Sequence, residues 1–224
     1  MGLKKISKPE PLAKTALKAL RHSILTNELT TGVVYNEKGL AGDLGISRTP
    51  VREALLELSA KKLVKFLPQK GLVINTFSDD DIEDVFEIRT ALEIFSIKKV
   101  CSKLEKEDVS LLQSFLDAQK KAAAAGDKTA FMAADNDYHI NFTNLTDNNY
   151  LIEMMQNIRD IMHLMGAQAI DLDGRMQEVV QEHESIMAAV AICDVPKASL
   201  AMISHLENSK AAVKKVYQLE GTGG

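Results

Sequence analysis

Apolar residues recur every four positions at Leu12, Ala16, Leu20 and Ile24, the spacing of one helical face. The pattern predicts a helix over residues 11–27, broken by Thr30, Thr31 and Gly32. A short helix follows at 37–44 and ends at Gly45. Ile46 then leads into SRTPVREALLELSAKK, where Val51, Ala54, Leu55 and Leu58 make one apolar stripe. Ser47 or Thr49 can cap this helix, and Pro50 is tolerated in a first turn, whose N–H groups have no helical partner. Two short helices joined by a glycine-containing turn are a helix-turn-helix signal. LVKFL and LVINTF, two β-prone runs around PQKG, predict a small hairpin. Helix-turn-helix followed by hairpin is the order of a winged helix domain, placed at residues 1–76.

From Ser78 onward only helical periodicity remains. Asp79, Asp80 and Asp81 put acid at the positive end of the first helix dipole. Helices are predicted near 79–102, 108–125, 127–146, 149–170, 174–193 and 196–218, separated by short breaks at Gly126, Asn148, Gly174 and Pro196. Six antiparallel helices with short connections make a bundle. The fold class is therefore mainly α, a winged helix-turn-helix domain followed by an all-helical domain at residues 77–224. The segment 75–81 is expected to act as a hinge, and residues 1–10 read as a flexible basic arm.

Composition adds little to this picture, with 46% apolar and 26% charged residues, the balance of a soluble globular protein. No apolar run approaches the ~18 residues a membrane span needs, and no apolar stretch follows the basic N-terminus to make a secretory signal. Cys101 and Cys193 are distant in sequence with no CxxC. They are expected to be small buried apolar side chains in a protein of the reducing cytoplasm. Charge adds more. Residues 1–75 hold 13 Lys+Arg and 6 Asp+Glu, a net of +7, and the remainder holds 14 and 25, a net of −11. Two modules of opposite charge are implied, the first suited to a polyanion.

Arg48 and Arg52 are one helical turn apart, beside Thr49 and a helix N-terminus. Arginine can grip guanine or phosphate with two bonds, and a helix start offers N–H groups to phosphate. Lys38 on the preceding helix, and Lys70 with Gly71 at the hairpin tip, can add backbone and minor-groove contacts. The competing reading places Arg48 and Arg52 in surface salt bridges, for example Arg52 with Glu53 or Glu57. GISRTPVREAL resembles the recognition-helix signature of the GntR family of transcription regulators, and LVKFLPQKGLVI resembles its wing. The resemblance implies Lys38, Arg48, Thr49, Arg52 and Gly71 as DNA-contacting positions. It departs at Lys61-Lys62-Leu63, where the family usually has a glycine before the wing.

In the second half, Asp135 and His139 lie at i and i+4 on one helical face. His183 falls in the stripe Val179, Ile186, Met187, Val190, and His205 in the stripe Ala198, Met202, Ala212, Val216. One carboxylate and three imidazoles can hold a divalent transition metal with positions left open. A core histidine is, taken singly, more often just hydrogen-bonded. Asp135-x-x-Tyr-His139, Glu182-His183-Glu184-Ser185-Ile186 and His205-Leu206 are similar to the metal-binding version of the FCD sensor domain of FadR-type GntR regulators. The likeness spans residues 11–218, with Tyr138 where the family usually has Phe and Cys193 where Gly is common. It implies zinc or nickel helping to hold a small organic acid. It also implies that Arg89 in EIRTALE faces the pocket, against a plain i,i+4 bridge to Glu93, and that Asn148 bonds the ligand, against a plain helix cap. Arg159 and His163 are expected to line the same cavity. Met154, Met155, Met162 and Met165 read as core filler.

The protein so read is a repressor that binds a pseudo-palindromic double-stranded DNA operator as a homodimer. A small carboxylate effector would shift operator binding. Two alternatives stand beside it, an acyl-CoA sensor of the same fold without metal and a metalloenzyme. The histidine set speaks against the first. The want of a general base beside the ligands speaks against the second.

Overall fold

A computed structural model describes residues 10–103, 105–166 and 168–221. The expected basic arm lies almost wholly outside them. The chain divides into two compact units, Met1–Thr76 and Phe77–Gly224.

The first unit holds α1 (Leu12–Leu25), α2 (Glu37–Asp43), α3 (Arg48–Ala60) and a hairpin of β1 (Val64–Leu67) and β2 (Gly71–Ile74). Ala16, Leu20 and Ile24 of α1 are buried against the Val51, Ala54, Leu55, Leu58 stripe of α3. Leu12, the first member of the expected stripe, is exposed, because it opens the helix ahead of the packed turns. The turn between α2 and α3 is a Schellman motif. Ile46 N–H donates to Ala41 O (3.1 Å) and Gly45 N–H to Gly42 O (3.2 Å), with Gly45 at φ +65°. The strands pair antiparallel with Val64 opposite Ile74 and Leu67 opposite Gly71. Tyr35, ahead of α2, adds a bridge to Leu72.

The glycine missing before the wing has a consequence in the backbone. Lys62 follows α3 at φ +62°, within a second Schellman turn made by Leu63 N–H to Leu58 O and Lys62 N–H to Ser59 O (both 3.0 Å). This left-handed region favours glycine. Asn75 steadies the turn by donating from Nδ2 to Lys62 O at 3.0 Å. Cys193, the other departure at a usual glycine, likewise sits at φ +53°.

The second unit is a helical bundle of α4 (Asp79–Cys101), α5 (Lys106–Ala125), α6 (Lys128–Asn144), α7 (Asn149–Gly166), α8 (Arg175–Val190) and α9 (Val195–Gly221). Helix α4 opens after Ser78 as expected, and Ser78 and Asp81 form a capping box there. The expected 149–170 helix is shorter. It ends at Gly166, and a separate 3-10 turn covers Ala169–Asp171. A Cβ on Gly166 would lie 3.2 Å from Val213 Cγ2, so the helix end packs tightly on α9. Met155, Met162 and Met165 are buried, but Met154 is exposed, one of the few errors in the expected core.

Candidate functional site

In the first unit, α3 presents Arg48, Thr49 and Arg52 to solvent at its N-terminal end, and Lys38 and Lys70 are exposed on α2 and at the hairpin tip. Both arginines make the surface salt bridges of the competing reading, though not with Glu53 or Glu57. Both face one carboxylate on α2, with Arg48 Nη2 3.3 Å from Glu37 Oε2 and Arg52 Nη1 3.7 Å from Glu37 Oε1. The arginines remain about two-thirds exposed while Glu37 is largely covered, so Glu37 aims them without burying them. Gly71, expected at the DNA, also has a steric role within the wing. It is half-buried at φ +126°, and a Cβ there would stand 2.2 Å from Tyr35 O. Only glycine lets the wing approach Tyr35 closely enough for the bridge to Leu72.

In the second unit every helix contributes to one buried cluster, built around His139 (α6), His183 (α8) and His205 (α9). The lateral partners of the rings fix their orientation. His205 Nδ1 lies 2.7 Å from Glu182 Oε2, so that nitrogen donates. His183 Nδ1 lies 2.7 Å from Gln119 Oε1, and Gln119 Nε2 donates to Asp135 Oδ1 at 3.2 Å. Since the carboxylate only accepts, the amide oxygen must face His183, which therefore donates from Nδ1. His139 Nδ1 lies 2.8 Å from Glu93 Oε1, yet off the line of a hydrogen bond, so it and Glu93 Oε2 are buried without a hydrogen-bond partner.

His183 and His205 consequently turn Nε2 inward as lone pairs, and His139 Nε2 is an acceptor as well, with Arg89 Nη2 3.0 Å away. His183 Nε2 and His205 Nε2 are 3.4 Å apart, too near for two bare lone pairs to be comfortable. Nitrogens each ~2.0–2.1 Å from a tetrahedral ion would stand about 3.3 Å apart. Asp135 Oδ1 is 3.9 Å from Nε2 of both His139 and His183. Ring nitrogens held from behind by carboxylate or amide oxygens, with the other nitrogens convergent, are the outer-shell arrangement of metal-binding histidines. The donor set fits a divalent transition metal.

Charge is balanced tightly here. Burial pushes the Asp135 carboxyl up, but Arg159, His139 and His183 hold it well below the usual carboxylate range. Burial drives His139, His183 and His205 down, so all three are held toward the neutral form that a metal needs. Burial lowers the Arg89 guanidinium to about 10 and raises the Glu93 carboxyl. Arg89 makes the i,i+4 bridge to Glu93 and also borders a neighbouring cavity. Its Nε is 3.3 Å from Glu93 Oε1, and its Nη2 reaches His139 Nε2 at 3.0 Å.

A cavity of about 80 Å³ adjoins the cluster and is lined by Arg89, Asp135, Arg159, His163 and His205 among others. Arg159 grips Asp135 Oδ2 at 2.5 Å and Asn136 Oδ1 at 3.3 Å. Asn148 does not line the cavity. Its side-chain oxygen accepts from Leu151 N–H at 3.3 Å, so the helix cap replaces the ligand contact expected of it. Arg175 was not singled out in the sequence, although it lines the cavity. It binds both carboxylate oxygens of Glu182, at 2.8 and 3.1 Å. Burial raises Glu182, but His205 and Arg175 bring it down to about 2. Its seven-residue spacing to Glu182 was the available signal. Tyr138 stacks on His183 at 4.3 Å between ring centroids and donates its hydroxyl to His183 O at 3.3 Å. A phenol therefore fits where the family usually carries Phe.

Residues 12–74 match the gntR family of bacterial regulatory proteins, and residues 84–208 match the FCD domain. The chain belongs to the GntR family, in its FCD-containing branch. Over 96% of its length it is 24% identical to the HTH-type transcriptional regulator YdhC of Bacillus subtilis (strain 168), of which it covers 96%. It is 22% identical over 93% of its length to the HTH-type transcriptional repressor RspR of Escherichia coli (strain K12), covering 92% of that protein. The solved structure of E. coli McbR/YncC superposes with a TM-score of 0.81 at 20% identity, over 93% of this chain and 100% of that one. This GntR protein is a DNA-binding transcription regulator and not an enzyme. Among the described residues no helix is long and apolar enough to cross a membrane.

Proposed function

We propose that this regulator is a cytoplasmic homodimeric repressor whose FCD domain binds a divalent metal, zinc or nickel, through Asp135, His139, His183 and His205, together with a small organic acid. The observation that carries the reading is the convergence of the histidine Nε2 atoms while their Nδ1 atoms face Glu93, Gln119 and Glu182. Bound among these donors, a metal supplies coordination positions for a carboxylate oxygen. Arg89 and Arg159 supply cationic donors on the same cavity wall. The cavity's about 80 Å³ is far below the several hundred Å³ of a drug-sized ligand site, which favours a small acid over an acyl-CoA. RspR, a repressor by name, is similar along nearly the whole chain.

Lys38, Arg48, Thr49, Arg52, Lys70 and Gly71 would meet the operator, Gly71 also shaping the wing. Exposed Ile88 and Phe95 lie two turns apart on α4, and exposed Tyr150 and Met154 lie one turn apart on α7, which packs on α4. These unpartnered apolar pairs support a dimer through the α4–α7 face, so that two winged domains read two half-sites.

The test is operator binding by fluorescence anisotropy, using a site selected from random DNA and protein loaded with zinc or nickel. Small mono- and dicarboxylates are expected to weaken binding with metal present and to have no effect after chelation. Equal effects in both states would remove the metal from the sensing step. No effect of any carboxylate would remove the acid.

A further inference from the structure

Cys101 closes α4, and Cys193 stands in the turn between α8 and α9. Helices α4 and α9 pack against each other, and their pairings give the direction. Glu83, near the start of α4, meets Lys210 and Lys214 in the later part of α9. Further along α4, Glu93 and Arg89 interact with His205, nearer the start of α9. Each step forward on α4 is thus a step back on α9. Carried on to Cys101, this register arrives at the N-terminal end of α9, just where Cys193 precedes it. The Cys193 thiol stands near enough to Cys101 to act on its ionisation.

The turn presents Cys193 in a fixed direction. Cys193 N–H donates to Val190 O (2.9 Å) and Asp194 N–H to Ala189 O (3.0 Å), with Cys193 at φ +53°. A residue with a side chain pays for that backbone conformation, and glycine would not. Cys193 is exposed and Cys101 half-buried, so the expectation of two buried apolar cysteines does not hold. Sequence distance hid the pair because the bundle brings them together only through the antiparallel register of α4 on α9.

We propose that Cys101 and Cys193 form a dithiol–disulfide modification site that closes within one chain on reaction with a small-molecule disulfide. The exposed Cys193 is the attacking sulfur, since burial pushes the Cys101 thiol up to about 11 and keeps it protonated. Cys193 thiolate bonds to one sulfur of the small disulfide and expels the other half as a thiolate. Cys101 then loses its proton to solvent, its sulfur bonds to Cys193 Sγ, and the second small thiolate leaves. Two protein thiols are oxidised by two electrons in all, and one small disulfide is reduced to two thiols. The link ties the end of α4, which carries Arg89 and Glu93, to the turn joining the helices of His183 and His205.

The full chain incubated with glutathione disulfide, quenched with acid, is read by intact mass and by peptide mapping without reductant. The expected product is a single chain lighter by two hydrogens, with one cross-linked peptide pair containing Cys101 and Cys193. Cys101→Ala is expected to stop at a glutathione adduct on Cys193. The wild-type chain carries the decisive readout. A stable glutathione adduct on wild-type Cys193, links between chains, or two thiols left free would each overturn the proposal.

Discussion

Two backbone positions around the wing show opposite uses of the left-handed region. Lys62 occupies it at φ +62° without being glycine, and Gly71 occupies φ +126° where nothing larger fits. Lys62→Gly is expected to stabilise the winged domain by about 0.5–1 kcal/mol, the relief of a crowded Cβ less the added entropy of the unfolded chain. Gly71→Ala is expected to destabilise it by more than ~1 kcal/mol, because the new Cβ collides with the Tyr35 carbonyl. Urea denaturation of the variants checks both signs. The sequence marked Lys62 as a departure from its family, but the cost is visible only once the backbone angle is known. The partner of Arg48 and Arg52 was also out of reach. Periodicity assigns residues to a face of their own helix, and Glu37 lies on another.

At the scale of elements the sequence was far more legible. The stripe through α3, the hairpin around PQKG and the start of α4 after Ser78 depend on local spacing and local hydrogen bonds, and the structure places them as read. The end of α7 was misjudged because Gly166 yields to tight packing on α9, a tertiary effect. His183 and His205 were legible because each sits in an apolar stripe that must face the core, and His139 through its i,i+4 spacing from Asp135. Gln119 was not, since its partners Asp135 and His183 lie on other helices, and Arg175 was passed over although its partner Glu182 stands seven residues along the same helix. The exposed apolar pairs on α4 and α7 lead to an element-scale prediction. Phe95→Glu places a charge in the α4–α7 face and is expected to convert a dimer to monomers in light scattering with the fold intact by circular dichroism. A dimer that survives this change uses another face.

For the whole molecule, the buried histidines couple stability to pH. Burial depresses their folded-state values below 6.5. The unfolded chain therefore takes up protons first as pH falls below 6.5, and stability present above that pH is lost on acidification. The loss is at most ~1.4 kcal/mol per histidine for each pH unit. Asp135 and Glu182 are likewise depressed, so their contributions go only at lower pH, below the ordinary carboxylate range. The metal-free protein is expected to melt progressively lower between pH 7 and 5, as thermal scans in a chelator would show. A melting temperature that is flat over this range would mean that the histidines are not held neutral.

The central claim is that these six helices are folded around a metal. Its most direct test is elemental analysis of protein purified without a His-tag or nickel resin, beside a His139→Ala/His183→Ala variant. About one divalent metal per chain, lost in the variant, is the result the account predicts. Protein that holds no metal in either form, even after zinc or nickel is added, would contradict it and return the three histidines to hydrogen bonding in the core.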